Sequence, residues 1–453
     1  MTKLLFVLSA SFVAYGAASS ALAAKSEVAV IAPAIADQSH ANKHQALPGR
    51  SRCDSTRGYS VAVGAPRTFM LRPEWLMLEK QRVARDLAYA KPLINAANAA
   101  LKRRPYSVVE KKIMAPSGDR HDYYSIGPYW WPTEGKPNGE PYSRRDGEVN
   151  PESRNDDFDK SRMTQFGNDV RVLALAYHYL GDRGYADHAG KLLRAWFVSP
   201  DTKMNPNLNH GQAVPGVSIG RGEGIIELNV LSGVVESIGL IEPAGTLTNA
   251  ELASLMQWFA DLTEWMATST IGKEERDKHN NHGLHYDYLI THFALFAGRE
   301  ALARQVVNNF PARRIAAQLK ADGSLPEELA RTRSWHYSFY ALEAATKLAT
   351  LGECVGLDLW SAKTRDDRSL ATAFAFLAPY QADMTKWPYK DTGLTDPAKR
   401  DAVRRVAMEP LRMMAWGTGD ISYERLAAKH DVTLNATADY WLPSMDDPES
   451  TQP

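Results

Sequence analysis

Cysteine is scarce in this chain: there are two in 453 residues, with no CxxC pair and no Cys/His finger spacing. That excludes a disulfide framework and argues against structural zinc. Charge of one sign is also lacking. The 53 basic residues are matched by 53 acidic ones, whereas a protein built around a nucleic-acid backbone carries a basic surplus. Beyond the N-terminus, no stretch has the roughly 18 uninterrupted apolar residues of a membrane helix. Runs of alternating apolar and polar residues, the mark of half-buried strands, are scarce too. What remains is 44% hydrophobic and 23% charged, the profile of a large globular protein with ample residues for a core.

The one early apolar stretch reads as a leader. Lys3 supplies a positive start, Leu4 to Tyr15 an apolar run, and Ala21-Leu22-Ala23 a small-residue cleavage site. The run is too short to span a bilayer, so residues 1–23 are expected to be a signal peptide cleaved near Ala23. The mature protein is then periplasmic or secreted, with no membrane insertion. In an oxidising compartment Cys53 and Cys354 either pair or stay as thiols, and the sequence leaves both open.

Residues 24–68 lack pattern and read as an N-terminal extension or linker. From residue 69 to about 435 helical period dominates, and 436–453 reads as a C-terminal tail. Val170, Leu173, Ala174, Tyr177 and Leu180 fall on one helical face, and Gly181 supplies the stop. Thr248-x-x-Glu251 is a capping box at the start of another helix. Further helical windows cover about 73–103, 222–240, 282–298, 300–319, 337–351 and 400–415. Many helices with long loops gathered at one end predict an all-α, (α/α) toroid, an incomplete α/α barrel; a helical solenoid is the competing architecture.

The loops are rich in chemistry. One holds Tyr123-Tyr124-Ser125-Ile126-Gly127-Pro128-Tyr129-Trp130-Trp131-Pro132, and another Asn205-Pro206-Asn207-Leu208-Asn209-His210-Gly211-Gln212. Flat sugar faces pack on Trp and Tyr, whose polar tips also bond hydroxyls; the plainer reading is that Trp130 and Trp131 fill a core gap. Asp277 to Asp287 contains His279, Asn280, Asn281, His282 and His285. The HExxH helix signature is absent and no third ligand is obvious, so no metal and no cofactor are expected. A third cluster places Arg331, Arg333, Trp335 and Tyr337 around the start of a helix. An arginine fork matches a carboxylate, although pairing with Glu327 and Glu328 is the simpler account of one arginine.

Taken together and in this order, the Gly127–Pro132 loop, the Asn-rich 205–212 loop, Asn281-His282 and the Arg331–Tyr337 pair resemble the alginate lyase superfamily. The likeness is closest to the helical-toroid polysaccharide lyases of families five and thirty-eight, over roughly residues 70 to 420. It implies an exported monomer that cleaves an anionic polysaccharide, most of all mannuronate-rich alginate, by metal-independent β-elimination. Asn281 and Arg331 would then neutralise the uronate carboxylate and hold the enolate-like intermediate. His282 or Tyr337 would take the C5 proton, and Tyr337 would protonate the leaving oxygen. Arg331 or Arg333 is expected to lower the tyrosine's pKa.

In the substrate-binding set, Tyr124, Tyr129, Trp130, Trp131 and Trp335 supply aromatic faces. Asn209, His210, Gln212, Arg221 and Arg333 meet hydroxyls or carboxylates, and Arg144, Arg145 and Arg162 extend a basic cleft. A glucuronan lyase of the same mechanism is an alternative. So is a toroid glycoside hydrolase, whose two acids would come from Asp156, Asp157 and Asp287, and so is a binding protein without catalysis.

Overall fold

The computed structural model describes residues 52–60, 64–396, 399–429 and 440–445. The expected signal peptide and most of the expected extension and tail lie outside them. The first half of the domain contains α1 (Pro73–Arg85), α2 (Leu87–Leu101), α3 (Lys160–Leu180), α4 (Arg183–Leu193), α5 (Asn229–Ile241), α6 (Asn249–Thr268) and α7 (Thr270–Arg276). The second contains α8 (Asn281–Phe296), α9 (Glu300–Phe310), α10 (Ala316–Gln318), α11 (Pro326–Leu329), α12 (Ser334–Cys354), α13 (Leu370–Ala382), α14 (Arg400–Arg405), α15 (Met408–Thr418) and α16 (Ser422–Ala428). Strands are minor: β1 (Tyr124–Ile126) pairs in parallel with β4 (His210–Ala213), and β2 (Trp130–Trp131) pairs antiparallel with β3 (Ser143–Arg144).

The helix signals act where the sequence places them. Gly181 ends α3 at φ 78°, a left-handed conformation that suits glycine. Thr248 and Glu251 satisfy each other's backbone N–H groups at the start of α6. Three windows are more broken than periodicity alone implies. Asp86 splits the first by capping α2, accepting from the Ala88 N–H at 2.8 Å. The window from 222 begins with a 3₁₀ segment, Gly222–Leu228, before α5. The 400–415 window is two helices, α14 and α15.

The inner wall forms a ring in which α3 packs on α5, α5 on α8, α8 on α12, and α12 on α15. Helices α4, α6, α9 and α16 back this wall from outside. This is the all-α toroid. Its inner helices are buried almost all round; every described residue of α8 except His282 is buried. The segment Gly222–Ala244 is long and apolar enough to cross a membrane by composition, but 78% of its most apolar window is buried within the protein.

The ends of the chain are packed rather than loose. Cys53 and Cys354 form a disulfide with Cα atoms 4.4 Å apart, which settles the question left open by the sequence. Tyr59 is buried and its hydroxyl donates to Glu353 at 2.9 Å. At the other end, residues 440–445 lie across the seam between the first helices and α15. Their carbonyls accept from Tyr179 (2.7 Å), Arg412 (3.3 Å), Trp416 (2.9 Å) and Arg82 (3.2 Å). Part of the expected linker and part of the expected tail therefore belong to the toroid body.

Candidate active site

One cavity of about 890 Å³ occupies the bore of the ring. Asn281 and His282 reach it from the first turn of α8, Tyr337 from the first turn of α12, and Arg331 from the loop ahead of α12. Both helices present their N-terminal ends here, where the backbone dipole favours an anion. The start of α12 is fixed by Asp391, which accepts from the N–H of Trp335 at 2.9 Å. The start of α8 is capped by Asn280, which accepts from the His282 N–H at 3.0 Å.

Each candidate catalytic side chain has a partner outside its own motif. The His282 Nδ1 is 2.6 Å from the Glu275 carboxylate, leaving Nε2 for the cavity. Burial opposes charge on this ring, but the Glu275 anion outweighs it and holds the pKa above the ordinary value. The Asn281 amide donates to both oxygens of buried Glu328, at 2.9 and 3.1 Å. Arg331 binds Asp146 at 2.8 and 3.3 Å. Burial would raise the Asp146 pKa, but Arg331 and the Thr332 donors bring it down to about 2, so this ion pair persists across any working pH.

Tyr337 corrects an expectation. Its hydroxyl lies 2.8 Å from that of Tyr129, and the Arg331 guanidinium sits 3.7 Å from its ring centre. Arg331 does favour phenolate, as anticipated. Burial and the neighbouring Tyr129 nevertheless win, and the pKa is raised rather than lowered. The phenol is a proton donor at neutral pH.

Of the expected binding residues, Tyr129, Trp130, Gln212 and Arg221 line the cavity. They are locked together. Gln212 sits at φ 45°, a strained backbone for a non-glycine residue, where the β1–β4 register slips. Its N–H donates to Ser125 at 2.8 Å, and its backbone and side-chain carbonyls accept from Arg221 at 2.9 and 2.7 Å. Gly127 lets this cluster close: a Cβ there would stand 2.6 Å from Trp130 Cδ1 and 3.1 Å from Arg221 Nη2.

The others stand elsewhere. Trp335 is fully buried and packs edge-on against Trp387, a core residue rather than a sugar platform. Tyr124 packs against Phe158 and His210, and His210 is buried with Nδ1 on the Ile219 carbonyl. Asn209 is exposed and accepts from Trp265, outside the cavity. Trp131 lies behind the rim, with Arg145 over its ring at 4.9 Å and its Nε1 on the Glu148 carbonyl. Arg333 occupies the N-cap position of α12 without a side-chain cap bond and is absent from the cavity wall, while Arg162 is tied to Asp159. Of the expected basic cleft, Arg144, Arg221 and Arg331 line the cavity and Arg145 does not; Arg154, Lys160, Arg171, Lys278 and Lys347 complete the basic lining.

The histidine cluster disperses. His285 is buried against Asn229 and Tyr340, and His292 lies between Ser232 and Glu236. Among the described residues, no group of three His, Cys, Asp or Glu side chains is placed to hold a metal ion. Asp287 is spent on a two-point bond to Arg314, and neither Asp156 nor Asp157 reaches the cavity.

Comparison with known proteins adds to this picture. Residues 107–387 match the family model described as alginate lyase. The chain is 35% identical to a crystal structure of an alginate lyase from Bacteroides ovatus, covering 83% of this chain and 99% of that one, with a TM-score of 0.77. Alginate lyase A1-III, solved in complex with a tetrasaccharide, shares the fold at a TM-score of 0.50 and 14% identity, over 78% of this chain and 95% of that one. No curated protein sequence matches.

Proposed function

Starting from the fact that the chain belongs to the alginate lyase family and is a polysaccharide lyase, we propose that it cleaves mannuronate-rich alginate by β-elimination after export. The observation carrying this reading is that α8 and α12 are packed neighbours presenting His282 and Tyr337 to one cavity from the same end. In mannuronate, H5 and O4 lie on the same face of the ring, so base and acid must approach that face together. Glucuronate differs from mannuronate at C2 alone and suits the same arrangement. Guluronate, inverted at C5, does not.

The chemistry follows from the side chains. C5 is acidified when Arg331 and the α8 N-terminus, including Asn281, offset the negative charge of the carboxylate attached to it. His282 Nε2, neutral above its raised pKa and oriented by Glu275, takes H5. The electron pair forms the C4–C5 double bond as the C4–O4 bond breaks, and the Tyr337 phenol gives its proton to O4. Tyr129 then stands within hydrogen-bond distance to support the phenolate left behind. Trp130 and Arg221 bind a neighbouring sugar. Export rests on the N-terminal leader pattern, and the Cys53–Cys354 bond fits an oxidising compartment.

The test is ultraviolet absorbance of the unsaturated product, followed on polymannuronate, glucuronan and polyguluronate. A rise on polymannuronate, smaller on glucuronan and lost in Tyr337→Phe, is expected. No rise on any of the three would sink the proposal and return attention to hydrolysis.

A further inference from the structure

The cavity does not stop at the reacting groups. It continues along the inner wall to Arg171, Glu409, Trp441 and Leu442. On α3, Lys160, Thr164, Asn168 and Arg171 follow one another at spacings of four, four and three, one helical face that lines the bore. At 1.5 Å per residue this face runs about 16 Å. Lys160 stands at the catalytic end, 3.9 Å from Glu227, whose carboxylate also holds Ser125 beneath Gln212. Arg171 marks the far end. Its guanidinium lies 5.9 Å from the ring centre of Trp441, and Asn168 is exposed one turn before it.

Trp441 is held in place by its backbone. The carbonyls of its neighbours Tyr440, Leu442, Pro443 and Ser444 are all bonded to side chains of the ring. The indole itself is half-buried and turned into the cavity. Residues 440–445 lie beyond the stretch matched by the family model. A rigidly mounted indole, a guanidinium and an exposed amide in one polar bore make a receptor for one chemical unit, a pyranose carrying a carboxylate. The ring would face the sugar's C–H surface, the guanidinium its carboxylate, and the amide a hydroxyl.

We propose that Trp441, Arg171 and Asn168 form a distal binding subsite for a uronate residue of the bound chain, remote from the bond that breaks. The subsite rests on the polyuronate-lyase reading and adds to it a dependence on substrate length. Short oligomers fill only the catalytic end, whereas longer ones gain the contact at Trp441.

The experiment measures kcat/KM by product absorbance for mannuronate oligomers of increasing length, in wild type, Trp441→Ala, Trp441→Phe and Arg171→Gln. Wild type is expected to climb with length and then level off. Trp441→Ala should lose the last step of that climb, about tenfold, with rates on the shortest cleaved oligomer unchanged. Trp441→Phe should keep most of the step, and Arg171→Gln should lose much of it. Equal losses at every length, or none at any, would overturn the subsite and leave Trp441 as a seal on the seam. If wild type cleaves no oligomer, the lyase reading has failed. Calorimetric binding of the longest oligomer to wild type and Trp441→Ala then decides the subsite by itself: weaker binding to the variant supports it and equal binding removes it.

Discussion

The Asn281 amide nitrogen is held by the Glu328 carboxylate at 2.9 and 3.1 Å, and its own oxygen is buried with no partner. In this arrangement the amide N–H₂ is spent on Glu328 rather than offered to a substrate carboxylate. Protonation of Glu328 reverses it: the acid donates to the Asn281 oxygen, and the amide turns its N–H₂ to the cavity. Burial raises the Glu328 pKa, against Asn281, Arg331 and His282, which lower it. Substrate affinity should therefore fall as pH rises and Glu328 ionises. Glu328→Gln mimics the protonated state, so its KM should stay flat over the same range. Superimposable KM profiles for the two enzymes would refute this.

The second pH effect belongs to kcat. His282 accepts a proton only when neutral, so the rate should rise with pH through its raised pKa. Glu275→Gln removes the anion that raises it. The acidic limb should move to lower pH, while the plateau falls about tenfold or more because the ring loses its anchor. Stability moves with the same pair. A raised histidine pKa stabilises the fold below the unfolded value and ceases to do so above the folded one. Glu275→Gln should thus lower Tm more in mild acid than in alkali, as a pair of thermal melts will show.

Tyr337 and Tyr129 divide cleanly under substitution. Tyr337→Phe removes the acid, and kcat should fall by about 10²–10⁴ with the fold intact. Tyr129→Phe leaves the acid in place but removes a neighbour that raises its pKa. The alkaline limb of the rate profile should then shift downward, with a smaller loss at neutral pH. An unmoved limb would show that Tyr337 does not set it.

Gly127 offers a test of the binding end alone. Alanine there drives a methyl into Trp130 and Arg221. Stability should drop by about 1–3 kcal/mol, the usual cost of overpacking. KM should rise more than kcat falls, measured on the polymer that wild type prefers.

Asn281-His282 and Arg331–Tyr337 were legible as candidates because they are polar groups set at the starts of apolar helices, and the structure brings them to one cavity. Their partners were not. Glu275 sits in Lys273-Glu274-Glu275-Arg276, which reads as a solvated face, and it meets His282 only because a helix break folds α7 against α8. Asp146 lies 185 positions from Arg331, a pairing that no local pattern announces. Trp335 misled in the other direction. Set between Arg333 and Tyr337 it reads as a binding aromatic, yet Phe339 one turn later packs against it at 4.9 Å and marks the core face. The pKa of Tyr337 depends on burial, which arginine spacing does not encode.

The link between Cys53 and Cys354 spans 301 positions, and α1 through α12 all lie between its ends. Those twelve helices are thereby a closed covalent circuit, with α13 to α16 hanging from it. A protease that cuts once in the loops around 133–150 or 200–222 opens the circuit without dividing the molecule. On a denaturing gel such nicked protein would run as one chain until a thiol reductant is added, and only then part into two. One such cut clips the rim of the candidate site while the pieces that bear Tyr129 and Tyr337 stay tethered.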